Sequence, residues 1–203
     1  PKGYDFDFIN PDALMSEISA EDGKAVTSCS KEYKVICLDP NCKRMSLNVL
    51  RKIAHLAGRG VIICGQVPEV PASMHDSTTE FESIVNDIWF SGRPNVFGGK
   101  WLEEVLKTSG ISPDWTILKG CDIRVVHRAL TDGHIYWVNS PIFEPQCAEI
   151  SLRVSGLKPQ KWNPINGEVS DLSYRFDGER TVVSLEFEPD DAFFIVLREK
   201  TEE

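Results

Sequence analysis

Apolar positions in the first 110 residues follow two different periods. Leu47, Leu50, Ile53, Ala54 and Ala57 recur at the spacing of one helix face, with Ser46 placed to cap the start and Gly58 or Gly60 to stop it. Ser77-x-x-Glu80 is a capping box that opens a second helix carrying Phe81, Ile84, Val85, Ile88 and Trp89 on one side. Trp101, Leu102, Val105 and Leu106 predict a third helix closed at Gly110, and Asn10-Pro11-Asp12 starts a short one ending near Ser19. Between them lie strand-like runs at 33–38, 61–65 and 95–99. Val61-Ile62-Ile63-Cys64 is continuously apolar, as a strand buried on both faces of a parallel sheet requires. Three strand–helix units in series predict an α/β fold, an open and mainly parallel sheet with flanking helices.

After about residue 120 the period changes to two. Runs at 122–130 and 134–139 flank Thr131-Asp132-Gly133, a hairpin signal. Ile150, Leu152 and Val154 alternate, as do Val183, Leu185 and Phe187; Asn166-Gly167 and Asp177-Gly178 mark turns; and Phe193-Phe194-Ile195-Val196-Leu197 closes the pattern. The expected organisation is an α/β domain over 1–142 and a small antiparallel, β-sandwich-like lobe over 143–203, which is too short to be stable without packing on a neighbour.

Composition narrows the function. The chain has 203 residues, 22 Lys plus Arg against 31 Asp plus Glu, and a net charge of −9. No basic cluster stands out, so nucleic acid is not an expected partner. No apolar run approaches the roughly 20 residues of a membrane span, so no membrane partner is expected either. The first residue is Pro1 and residues 1–9 lack the features of a signal peptide, so the chain reads as an excised or processed piece. The six cysteines show no C-x-x-C spacing; neither a metal nor another cofactor is expected, and Cys37 and Cys64 read as buried strand thiols.

Few residues offer chemistry. Cys64 stands where a strand meets a loop, the place an α/β fold presents a nucleophile, but the glycines that flank an amidotransferase nucleophile are missing and no histidine has diagnostic spacing. Glu103-Glu104 sits on one helix and cannot face its two carboxylates across a glycosidic bond. Val126-His127-Arg128 is more informative. Consecutive polar residues on a strand point to opposite faces, so one of His127 and Arg128 faces a cleft or interface and the other does not; the alternative is a structurally satisfied histidine beside an exposed arginine. No residue is expected to be catalytic.

The order of motifs resembles glycoside hydrolase family 106, the alpha-L-rhamnosidase-like proteins. Tyr4-Asp5-Phe6-Asp7-Phe8-Ile9-Asn10-Pro11-Asp12-Ala13-Leu14 is similar to a "YDFINPDAL" stretch that follows the catalytic barrel in that family. His127-Arg128, Ile135-Tyr136-Trp137-Val138-Asn139 and Trp162-Asn163-Pro164-Ile165-Asn166-Gly167-Glu168 resemble its "HR", "IYFVSN" and "WDPxTGE" segments, departing at Trp137 and Asn163. The resemblance implies a non-catalytic C-terminal region, an amidotransferase/flavodoxin-like lobe followed by a β lobe, in a periplasmic or secreted parent that degrades polysaccharide. It places the catalytic carboxylates on an upstream barrel of the same polypeptide, and His127 and Arg128 near the barrel's sugar cleft or interface. Two other readings stay open. One is a carbohydrate-binding module using Trp115, Trp137 or Trp162 on an oligosaccharide; the other is an amidotransferase-like enzyme using Cys64.

Overall fold

The computed structural model describes residues 1–201, which form two compact units, 6–112 and 1–5 with the described residues from 113 on. The first unit opens with helix α1 (Pro11–Glu17), where the Asn10 side chain accepts from the Ala13 amide at 2.8 Å and Pro11 occupies the first turn. A small antiparallel sheet follows, β1 (Ile18–Glu21), β2 (Lys24–Thr27) and β3 (Glu32–Tyr33). Strands β4 (Val35–Leu38), β6 (Ile62–Gly65) and β8 (Val96–Gly98) pair in parallel in the order β4-β6-β8, and β5 (Arg44–Met45) pairs in parallel with β7 (Val70–Pro71).

Helix α2 (Leu47–Gly58) buries Leu47, Leu50, Ile53, Leu56 and Ala57, the stripe its spacing predicts. Its first amide, at Leu47, is satisfied by the Asp76 carboxylate at 3.0 Å and not by Ser46. Helix α3 (Thr78–Val85) is capped by Ser77, whose hydroxyl accepts from the Glu80 amide, and runs on as a π-helical turn over Asn86–Phe90. Helix α4 (Leu102–Thr108) buries Val105 and Leu106. Asn95 ties this unit together by donating to the carbonyls of Ala57 and Val61 at 2.9 and 2.8 Å.

The second unit is a β-sandwich. One sheet holds β10 (Arg124–Leu130), β11 (Gly133–Asn139), β13 (Leu157–Trp162), β14 (Val169–Asp171) and β17 (Ala192–Lys200) in the order β10-β11-β17-β13-β14. The other holds β9 (Trp115–Gly120), β12 (Gln146–Leu152), β15 (Tyr174–Asp177) and β16 (Arg180–Phe187) in the order β15-β16-β12-β9. Every pairing in both sheets is antiparallel. Tyr136, Val138, Ile150, Leu152, Val183, Leu185, Phe193, Ile195 and Leu197 fill the space between, as alternating strands with one inward face dictate.

This architecture corrects the expected fold class. Strand makes up 41% of the chain and helix 19%, the pairings are mostly antiparallel, and the fold is not an open parallel α/β sheet of the amidotransferase/flavodoxin kind. The local elements of the first half exist, but parallel pairing stops at β4-β6-β8 and the two-residue β5–β7 contact. The expected boundary at 142/143 falls inside the sandwich unit. The reason is long-range pairing: β11 is hydrogen-bonded to β10 on one side and to β17 on the other, with Ile135 opposite Val196 and Val138 opposite Phe193. A period of two identifies strands but does not name their partners.

Candidate functional site

His127 lies on β10, the edge strand of the five-stranded sheet, and faces inward, while Arg128 points to the opposite face and is exposed. The two residues are therefore not brought together. What His127 meets follows from the hairpin register. Leu130 pairs with Gly133, so His127 stands opposite Tyr136 and diagonal to His134, which pairs with Ala129. The His127 and Tyr136 rings stack with centroids 4.0 Å apart and planes inclined by 3°. His127 Nε2 is 2.9 Å from His134 Nδ1.

The other ring nitrogen of His127, Nδ1, is 2.8 Å from Asp114 Oδ2, in a pair whose side chains are 15% and 19% exposed. Asp114 is held from both sides of its backbone. Its amide donates to the Gly3 carbonyl at 2.7 Å, and its carbonyl accepts from the Arg153 amide at 2.8 Å. The Arg153 guanidinium stands 3.6 Å from Asp114 Oδ1. Arg180 anchors the same corner by donating to the carbonyls of Pro113, Asp114 and Ser151 and to the Ser151 hydroxyl, at 2.7 to 3.4 Å.

The chain Asp114–His127–His134 constrains its protons. With Nδ1–H of His127 given to the carboxylate, Nε2 of a neutral His127 accepts, so His134 must donate from Nδ1 and keep Nε2 as an acceptor. Protonation of His127 reverses that second bond. The row can therefore pass or store a proton at the edge of the sandwich. Beside it, the Tyr136 hydroxyl is buried without a hydrogen-bond partner among the described residues, and burial, aided by the Asp114 charge, pushes it well above the usual phenol range.

His134 makes the site sensitive to acid. Burial pushes its pKa below the ordinary 6.5, the charge of His127 acts the same way, and Asp114 opposes. The fold therefore favours neutral His134. As pH falls below the ordinary value the unfolded chain takes up the proton first, and stability drops until the folded pKa is passed. A urea midpoint series from about pH 7 to about pH 5 should show a smaller loss in His134→Gln than in the original chain; equal slopes would remove His134 as the cause.

The remaining candidates are scattered. Cys64 is fully buried, with the neighbouring Cys37 thiol and burial holding its pKa above the thiol range, so it does not serve as an exposed nucleophile. Cys37, expected to be buried, is exposed at the sheet edge. Trp115 packs partly on the sandwich core, and Trp162 is 36% exposed. An open groove of about 430 Å³ beside Trp115 is crossed by the Lys2–Asp122 ion pair at 2.8 Å. Among the described residues no group of three or more His, Cys, Asp or Glu side chains is arranged to hold a metal ion. Sequence reasoning did not bring His134, Tyr136, Asp114 and Arg180 together with His127. The first two were within reach by counting back from the Thr131-Asp132 turn; Asp114 joins the cluster across the two sheets, and Arg180 joins it through Ser151 and the segment entering β9 of its own sheet.

A rhamnosidase from Novosphingobium sp. PP1Y superimposes on this fold with a TM-score of 0.89 at 30% identity, covering 100% of this chain and 20% of that one. The likeness places the chain among glycoside-hydrolase-like proteins. A family model described as alpha-L-rhamnosidase, glycoside hydrolase family 106, matches residues 1–176, and the chain belongs to that family. An Acetivibrio thermocellus protein named "Putative 8-amino-7-oxononanoate synthase" is 28% identical over 134 residues, 65% of this chain and 32% of that protein. The chain thus spans about a fifth of the rhamnosidase and about a third of the second relative.

Proposed function

We propose that this chain is an accessory, non-catalytic region of an alpha-L-rhamnosidase-like glycoside hydrolase that degrades polysaccharide, with the catalytic carboxylates on a barrel upstream in the same polypeptide. The observation that carries the reading is the match of the whole chain to one fifth of a rhamnosidase. Chemistry supports it. Glycoside hydrolysis needs two carboxyl groups facing each other across the scissile bond, roughly 5–10 Å apart. Asp114, the acid at the heart of the His127 cluster, is committed to His127 and Arg153. In this reading His127 and its partners fix the sandwich edge at the interface with the barrel, and Arg128 is offered to that interface or to sugar.

The test compares the isolated chain with a polypeptide that adds the upstream region, on an aryl alpha-L-rhamnoside. The longer protein is expected to release the aglycone and the chain alone to release none. Turnover by the chain alone overturns the reading.

A further inference from the structure

Cys37 and Cys64 are 27 positions apart in sequence and side by side in the fold. They are register partners in the parallel pairing of β4 with β6. Neighbouring strands run about 4.8 Å apart, within the roughly 4.4–6.8 Å between Cα atoms that a disulfide spans, and paired residues of adjacent parallel strands point to the same side. Both are free thiols, and they differ in access: Cys37 is exposed on the edge strand of its sheet, whereas Cys64, on the central strand, is fully buried. An exposed thiol backed by a buried one is the arrangement of an attacking and a resolving cysteine. Strand pairing assembles it here in the absence of any C-x-x-C spacing.

We propose that Cys37 and Cys64 form a reversible thiol–disulfide pair, closed by small disulfides such as glutathione disulfide and opened by small thiols. Cys37 loses its proton and attacks one sulfur of glutathione disulfide; that S–S bond breaks and one glutathione leaves, carrying the proton. Cys64 then attacks the Cys37 sulfur. The mixed disulfide breaks, the Cys64 proton passes to the departing glutathione thiolate, and a Cys37–Cys64 bond remains. One glutathione disulfide is reduced to two thiols as two protein thiols are oxidised.

The electrostatics favour Cys37 as the attacking thiol. The neighbouring Cys64 thiol pulls the Cys37 pKa down, against burial and the charges of Glu103 on α4 and Asp39 in the following loop. The same contact and burial push Cys64 up. The bond would staple the edge strand β4 to the centre of its sheet. Cys121 and Cys147, neighbours in the sandwich, lack this geometry, because Cys121 packs inward on the core while Cys147 lies exposed on the outer face.

The test treats the folded chain with glutathione disulfide, quenches with acid, alkylates under denaturing conditions and maps the peptides. Six alkylated thiols before treatment should become four, with one linked peptide pair holding Cys37 and Cys64, and dithiothreitol should restore six. Cys64→Ser should accumulate glutathione on Cys37 with no internal bond. Six free thiols after treatment, a bond joining any other pair, or a stable glutathione adduct on Cys37 of the unsubstituted chain would each overturn the proposal. The unsubstituted chain decides the matter even if the variant does not fold.

Discussion

Gly65→Ala is expected to disrupt the unit spanning 6–112. Gly65 ends β6 with φ +95°, and a Cβ there would sit 2.1 Å from the Leu38 carbonyl oxygen and 2.9 Å from the Leu38 nitrogen. Leu38 is the register partner of Gly65 in β4, so the obstacle is backbone and cannot rotate away. Either the strands part or the residue leaves its conformation, and in both cases the β4–β6 ladder opens above the core of Leu50, Ile53 and Ile63. A left-handed backbone on a residue with a side chain costs about 1–2 kcal/mol. With the clash, the loss should reach on the order of 4 kcal/mol, a large part of a domain's stability. Gly99→Ala is the control. It has φ +69° with nothing within 4 Å of the added Cβ, so it should lose only the conformational cost of about 1 kcal/mol. Urea denaturation followed by circular dichroism separates the two, and equal losses would show that the close approach to Leu38 does not matter.

Arg180→Ala should be nearly as damaging, in the sandwich. Its guanidinium holds three carbonyls and one hydroxyl, at Pro113, Asp114 and Ser151, where β16 meets the segment entering β9. Truncation strands these partly buried acceptors, each costing about 1–3 kcal/mol where water does not replace the donor. The expected total is about 3 kcal/mol, with incomplete rescue by Arg180→Lys, because an ammonium lacks the planar fork that reaches several acceptors at once. A second readout separates this role from generic packing. Asp114 is the partner of His127 Nδ1, so the His127 imidazole resonances should shift in Arg180→Ala at temperatures where the sandwich remains folded. A variant as stable as the original chain, with unchanged His127 resonances, would show that Arg180 is not the anchor.

The two halves of the chain differed in how much could be read from their residues. Helix α2 was legible because its apolar stripe, from Leu47 to Ala57, is set by local spacing, and α1 because Asn10 and Pro11 act within one turn. The parallel arrangement was over-read. Val61 to Cys64 is apolar enough for a large buried sheet, yet β6 has only β4 and β8 as neighbours, and among the described residues further parallel pairing is limited to the two-residue β5–β7 contact. The strand containing His127 was recognised, but its partners depended on pairings that cross the chain. His134 and Tyr136 are fixed by a two-residue turn and could be counted. Asp114 reaches His127 from the start of the opposite sheet, and alternation carries no information about that contact. Cys37 was misplaced for a related reason: an apolar run does not reveal whether its strand ends up at the centre or the edge of a sheet.

The position of β17 governs the order in which the molecule comes into being. Among the described residues it is the last strand in sequence, yet it lies inside its sheet, with β11 on one side and β13 on the other. During synthesis the 6–112 unit has all its pairings available once residue 112 has left the ribosome. The sandwich cannot close until residues near 200 emerge. Through that interval Tyr136, Val138 and their neighbours have one hydrogen-bonded flank empty and apolar faces uncovered. Contacts that span so much sequence form slowly, and half-built sheets with open edges are prone to pair with the wrong chain. Factors that shield nascent chains should therefore matter most for this unit, and a ribosome stalled a few residues short of β17 should hold one folded domain and one unfinished one.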